Sequence, residues 1–237
     1  MSITLLIGYD SPYDEVWQVA AHSARTRASV PLTILPIKID ELKAAGMYHR
    51  AYEKRGKDLW DVISDAPMST EFAISRFFVP HLAKTDWAVF CDIDFLWQAD
   101  IAELMRLVNP DFALQCVQHN HEKPETAKMN GVTQTQYNRK NWSSLMLWNL
   151  KHPAHQKLTI KQLNTLPGRD FHRFYWLEDH EIGALPPEWN YLVGVSDPSI
   201  KPKVIHYTLG GPWLEGYEDC QYADLWLAER AAYRAAK

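Results

Sequence analysis

The segment Trp87-Ala88-Val89-Phe90-Cys91-Asp92-Ile93-Asp94-Phe95-Leu96-Trp97 is apolar apart from two carboxylates one residue apart. A continuous apolar run of this length reads as a strand covered on both faces. Carboxylates closing such a strand are costly to bury unless something positive meets them. A divalent cation is the simplest partner, and hard oxygen ligands suit magnesium or manganese. The plainer reading is a strand-end turn whose aspartates face water or cap the next helix. Asp100 fits that cap better, because it directly precedes the helical pattern Ile101, Leu104, Met105, Val108.

The remaining chain frames this strand as one α/β domain over 1–237. At 46% hydrophobic residues it can bury one large core, and no linker, repeat or low-complexity tract divides it. The patterns predict strands over 3–7, 32–37, 87–91, 112–117, 143–149 and 204–207. Helices are expected over 13–28, 70–82, 101–107, 154–163 and 218–235, with weak helix in 38–45. Residues 40–67 are polar and poorly patterned, and 119–139, with His119, His121 and Lys123, reads as a long surface loop. Alternating strands and helices with short connections imply a mainly parallel sheet with helices on both faces.

A net charge of −4 argues against nucleic acid held by bulk electrostatics. Three cysteines, Cys91, Cys116 and Cys220, read as reduced residues of a cytoplasmic protein. No signal-peptide pattern opens the chain and no window has the roughly twenty apolar residues of a membrane span. The aromatic and basic tail, with Arg230, Arg234 and Lys237, could touch a membrane surface, and packing against the domain is the plainer expectation.

Two further features converge on the acidic couplet. Arg76 is the only basic residue of a segment that is apolar almost all round, so its guanidinium needs an anion. It either bridges Asp92 and Asp94 or binds a phosphate or sugar hydroxyl beside them, and the alternative is a snorkelling surface arginine. In Val204-Ile205-His206-Tyr207-Thr208-Leu209-Gly210-Gly211-Pro212-Trp213, a short strand delivers a histidine to a glycine-rich turn. Imidazole can complete a metal site begun by two carboxylates, and adjacent glycines let backbone N–H groups approach a phosphate.

Taken in order, Tyr9-Asp10 after the first strand, Arg76, Asp92-Ile-Asp94, Asn141-Trp-Ser-Ser, Leu-Glu178-Asp179-His180-Glu181 and His206-x-x-x-Gly-Gly-Pro-Trp213 resemble the glycogenin/galactosyltransferase-like family of retaining glycosyltransferases, family 8-like, with the GT-A fold. The resemblance implies manganese (or magnesium) held by Asp92, Asp94 and His206, and a nucleotide sugar, commonly UDP-linked, as donor. It also implies that Arg76, Asn141 and Asp179 hold the donor sugar and that His180 lies near the anomeric carbon. Tyr9, Asp10 and Tyr13 would hold base and ribose, and Gly210 and Gly211 the diphosphate. The family's lysine on the diphosphate is missing, since Gly211 precedes Pro212, and Arg139 or Lys140 could replace it. Retention of configuration follows from the resemblance alone, with Asp179 or Glu181 as nucleophile or with front-side attack by the acceptor. The acceptor, whether carbohydrate, lipid or protein, is not legible.

Three other classes fit less well. An Asp-x-Asp phosphatase needs its couplet on the first strand. A sugar-nucleotide nucleotidyltransferase needs a basic glycine-rich loop where Gly8-Tyr9-Asp10-Ser11-Pro12 stands. A non-catalytic, or catalytically weak, sugar-binding protein would use the ten tryptophans and eleven tyrosines, most of which fall in core patterns.

Overall fold

The computed structural model describes residues 3–56, 58–120 and 139–237. Strand β1 (Ile3–Gly8) leads through a 3-10 turn into helix α1 (Asp14–Arg27), strand β2 (Leu32–Ile37) and helix α2 (Ile39–Ala44). A small antiparallel meander follows, β3 (Tyr52–Arg55), β4 (Asp58–Asp61) and β5 (Ala66–Met68). Helices α3 (Phe72–Ser75) and α4 (Val79–Leu82) precede β6 (Trp87–Cys91), β7 (Phe95–Trp97), α5 (Ile101–Met105) and β8 (Leu114–Cys116). The second half comprises β9 (Leu145–Asn149), α6 (Ile160–Thr165), α7 (Gly168–His172), β10 (Ile182–Ala184), β11 (Tyr191–Leu192), β12 (Val204–His206) and α8 (Ala223–Ala235).

A six-stranded sheet in the order β10-β8-β9-β6-β1-β2 forms the centre of this single α/β domain. β1 pairs in parallel with β2 and β6, and β8 with β10, while β9 runs antiparallel to its neighbours β6 and β8. Every residue of β1 and β9 is buried, as uninterrupted apolar strands covered on both faces must be. Pro36 lies in β2, where the sheet ends and a missing backbone donor is tolerated.

The expected helix over 70–82 is broken. Arg76–Phe78 forms a 3-10 turn between α3 and α4, with Pro80 in the first turn of α4. Proline at 80 has no N–H for the Arg76 carbonyl and its ring crowds that carbonyl, so a continuous α-helix cannot pass. The expected helix over 154–163 also divides, into a 3-10 segment Pro153–Lys157 and α6, because Thr159 forms a capping box with Gln162 and starts a new helix. The polar stretch 40–67 holds α2 and the β3–β5 meander rather than a structureless segment. It is fastened by a buried ion pair, in which Arg50 Nε donates to Asp61 at 2.7 Å and Nη1 reaches the carbonyls of Leu163 and Leu166. The strand expected over 143–149 opens as a 3-10 turn, Trp142–Ser144. Helix α8 starts at Ala223, five residues later than 218. Its Trp226 is buried, and its Arg234 forms a two-pronged pair with Glu15 of α1, so this tail packs on the domain. Residues 121–138 of the expected long loop, including His121 and Lys123, lie outside the described residues. No described helix is long and apolar enough to cross a membrane.

The element that positions the site is a second sheet, β11-β12-β7. β7 and β12 run antiparallel with His206 opposite Phe95, and the Tyr207 N–H donates to the Asp94 carbonyl at 3.0 Å. The end of β12 at His206 is thereby laid beside the end of β6.

Candidate active site

Asp92 and Asp94 leave the end of β6 and His206 closes β12. One ligand atom from each lies within 4.8 Å of the others. Asp92 is set by its own N–H, which donates to the Ser144 carbonyl at 2.9 Å. Its carboxylate accepts from Arg76 Nη1 at 2.6 Å, and the same nitrogen donates to the Ser143 carbonyl at 3.0 Å. Arg76 is buried and pairs with Asp92, one of the two carboxylates the sequence expected it to bridge. The 3-10 turn that carries it also lets Nε reach back to the Phe72 carbonyl at 3.4 Å.

The imidazole of His206 is stacked on Phe95, centroids 4.4 Å apart, with Nε2 3.5 Å from Asp94 Oδ1. Its Nδ1 lies 2.9 Å from Oδ1 of Asn190, a fully buried side chain. Two carboxylates and one imidazole form an oxygen-rich donor set that fits manganese or magnesium. Donors sharing one such ion stand at most about 4.2 Å apart, twice a bond of about 2.1 Å. The 4.8 Å within which the three donor atoms lie is wider than that, so side-chain rotation would have to draw them together around an ion.

Beside the trio is a cleft whose walls include Asp10, Tyr13, Thr70, Asp94, Gly210 and Trp213. Asp10 is buried, and burial pushes its carboxyl up to about 6, against the Glu71 N–H that stabilises the anion; the charges of Glu71 and Asp94 add to the rise. Glu71, next in sequence to Thr70 of the cleft wall, accepts from the N–H of Ser11, the neighbour of Asp10, at 3.1 Å and from its hydroxyl at 2.5 Å. Two buried polar atoms that have no hydrogen-bond partner among the described residues are the Thr70 hydroxyl on the cleft wall and the Asn141 side-chain nitrogen, which lies outside the cleft lining. Buried polar groups are rarely left so, and a polar ligand would satisfy them.

Other residues singled out from sequence fall in different places. Tyr9 sits outside the cleft lining, its hydroxyl donating to Asp14 at 3.0 Å and its ring under Lys38. Asn141 adopts a left-handed conformation at the start of the Trp142–Ser144 turn. Asp179 is 92% exposed and paired with Arg139, whose guanidinium also covers the Trp142 ring at 5.5 Å. His180 is exposed. The Glu181 carboxylate caps its own turn, accepting the Glu178 N–H at 2.8 Å. Gly210 has φ +123 and donates its N–H to the Tyr207 carbonyl at 2.7 Å, so that group is already engaged. Gly211 is required by packing, since a Cβ there would stand 2.1 Å from the Trp213 ring. Sequence reasoning missed Asn190 and Thr70, which no spacing or charge pattern marks, and gave Ser144 no role of its own within Asn141-Trp-Ser-Ser.

No family model matches the chain. Its fold is that of GT-A-like glycosyltransferases. It superposes on the WbbM bifunctional glycosyltransferase (TM-score 0.62, 19% identity, 97% of this chain and 50% of that one). It superposes equally on galactosyltransferase LgtC in complex with donor and acceptor sugar analogues (TM-score 0.62, 15% identity, 97% of this chain and 96% of that one). The chain thus spans about half of WbbM and nearly all of LgtC. It is 45% identical over 235 residues to Protein CDI of Arabidopsis thaliana, covering 97% of this chain and 86% of that protein, and it belongs to the Protein CDI family.

Proposed function

We propose that this protein is a metal-dependent glycosyltransferase that moves a sugar from a nucleotide sugar, UDP-linked, to an acceptor hydroxyl with retention of configuration, as in family 8-like enzymes. The observation that carries the reading is the meeting of Asp92, Asp94 and His206, spread over nearly half the chain, at one point beside a cleft with a buried carboxylate. A likeness in fold to LgtC, described with donor and acceptor sugar analogues, supports the same class.

Breaking a glycosyl–phosphate bond builds negative charge on the leaving diphosphate and positive charge on the anomeric carbon. Manganese or magnesium held by the trio would supply the Lewis acid for the first. The residues of this chain do the rest. Arg76 pairs with the Asp92 carboxylate and fixes its direction. Asp10 and Tyr13 offer polar groups to base and ribose, and Thr70 and Asn141 offer unused hydrogen-bonding atoms to donor hydroxyls. Asp179 and His180 take the catalytic places near the anomeric carbon, and Arg139, paired with Asp179, takes the place of the absent lysine on the diphosphate. Glu181, tied into its turn, is a poorer nucleophile candidate than Asp179. All three cysteines are free, which supports a reducing compartment such as the cytoplasm.

The test is Asp94→Ala assayed with manganese and a panel of UDP-, GDP- and CDP-sugars. Turnover should fall at least about 100-fold with folding intact, in line with loss of transition-state charge stabilisation. Undiminished transfer in that variant refutes the assignment. Release of pyrophosphate from a nucleoside triphosphate would instead identify a nucleotidyltransferase.

A further inference from the structure

The side chain of Asn190 is fully buried and both ends of its amide are committed. Which end faces which partner can be derived from a group that has no choice. The Asn141 backbone carbonyl only accepts hydrogen bonds. The Ser144 hydroxyl stands 2.7 Å from it and must donate its single proton there. Ser144 Oγ can then only accept from its other neighbour, the Asn190 amide 2.9 Å away, so the end facing it is the NH2 group. That leaves Asn190 Oδ1, an acceptor, 2.9 Å from His206 Nδ1. Nδ1 therefore carries the proton, and in the neutral ring the lone pair of His206 sits on Nε2, which faces Asp94 Oδ1 at 3.5 Å.

We infer that Asn190 is a positioning residue that locks His206 as the Nδ1–H tautomer, with the relay Asn141 carbonyl, Ser144 hydroxyl and Asn190 amide setting its own orientation. The same turn carries the Ser144 carbonyl that receives the Asp92 N–H. One short segment thus fixes both the tautomer of the imidazole and the direction of the first carboxylate. Without the amide oxygen, the ring would be free to place its proton on Nε2, between imidazole and carboxylate, where a cation would have to displace it. Partners behind a metal-ligating histidine commonly change metal affinity about 10- to 100-fold. The tautomer lock stands on the hydrogen bonds alone; its consequence for a metal rests on the proposed glycosyltransferase reading.

The experiment uses the full chain, 15N-labelled at histidine, at a pH where the imidazole is neutral. Long-range 1H–15N spectra should show His206 as the Nδ1–H tautomer in the wild type, as the Nε2–H form or a mixture in Asn190→Leu, and as the Nδ1–H form again in Asn190→Asp, whose carboxylate keeps the acceptor. Manganese binding, read by loss of the free-ion paramagnetic resonance signal in the presence of UDP, should weaken about 10- to 100-fold in Asn190→Leu and stay within a few-fold of wild type in Asn190→Asp. Urea titrations run beside both, because a purely structural role would lower stability without moving the tautomer. Should Asn190→Leu not fold, Asn190→Ala, which also removes the amide oxygen, serves in its place and should give the Nε2–H form or a mixture of tautomers. An unchanged His206 tautomer in the Leu variant, or in Asn190→Ala where that variant stands in, overturns the inference. So does equal loss of manganese in the Leu and Asp variants. A wild-type protein that shows the tautomer shift but binds no manganese with UDP leaves the lock standing and removes the glycosyltransferase reading instead.

Discussion

Arg76 and Asp92 face each other at 2.6 Å with side chains only 7% and 14% exposed, and neither charge would rest there without the other. Removing one member of a buried pair typically costs about 3–5 kcal/mol, while replacing both by neutral groups can cost much less. Arg76→Leu should therefore lower unfolding free energy by about 3 kcal/mol, and adding Asp92→Asn should recover part of that loss. Urea unfolding of the two single variants and the double variant measures the coupling. Strictly additive losses would show that the pair is not the reason for either charge. At this scale the site was legible where charge contradicts its surroundings. Asp92 and Asp94 interrupt an apolar run, Arg76 interrupts an apolar helix pattern, and His206 precedes paired glycines. Asn190 was not legible, because a neutral amide before Tyr191 breaks no pattern and acquires its meaning only from the imidazole across the sheet.

Between elements, the decisive contact lies where β1 gives way to Tyr9 and Asp10. A Cβ on Gly8 would stand 2.3 Å from the Phe72 ring of α3, closer than side-chain contacts allow. Gly8→Ala should cost about 1–3 kcal/mol by overpacking, and Phe72→Leu, which withdraws the ring, should relieve much of the added cost in the double variant. Thermal unfolding of the three variants decides it, and a double variant as unstable as the sum of the two singles would place the crowding elsewhere. Long elements followed the sequence patterns closely: β1, β2, β6 and α1 stand where periodicity put them. The misses share a physical origin. β7, β10 and β11 have two or three residues each, too few to show a period. The β3–β5 meander is largely polar and is fastened by the Arg50–Asp61 pair instead of an apolar face. In the 70–82 segment the apolar pattern is helical, but Pro80 interrupts the hydrogen-bond ladder that the pattern alone suggests.

Across the whole molecule, two buried groups on different parts of the chain tie stability to pH in opposite directions. Burial pushes His155 down to about 4; its Nε2 donates to the Ala113 carbonyl at 3.0 Å and its Nδ1 accepts from Trp176. Between its unfolded value of 6.5 and about 4 the unfolded chain takes up a proton that the folded chain refuses. Stability from His155 is thus complete above pH 6.5 and is lost as pH falls toward 4, by roughly 3 kcal/mol at about 1.4 kcal/mol per unit. Asp10 does the reverse. Burial raises it from 3.8 to about 6, so the folded chain binds the extra proton and stability rises as pH falls through that window, again by roughly 3 kcal/mol. The two contributions largely offset each other between pH 4 and 6.5. Asp10→Asn should accordingly stabilise the metal-free protein at pH 7.5, with the gain disappearing near pH 4. His155→Gln, which can keep both hydrogen bonds, should instead gain on wild type as pH is lowered. Urea midpoints of wild type and both variants at pH 4.5 and 7.5 provide the measurement. Differences from wild type that do not change between the two pH values would mean that neither group titrates as its burial requires. A saturating nucleotide ligand that engages the Asp10 carboxylate should then erase the advantage of Asp10→Asn at pH 7.5, which ties this element of the stability curve to the cleft itself.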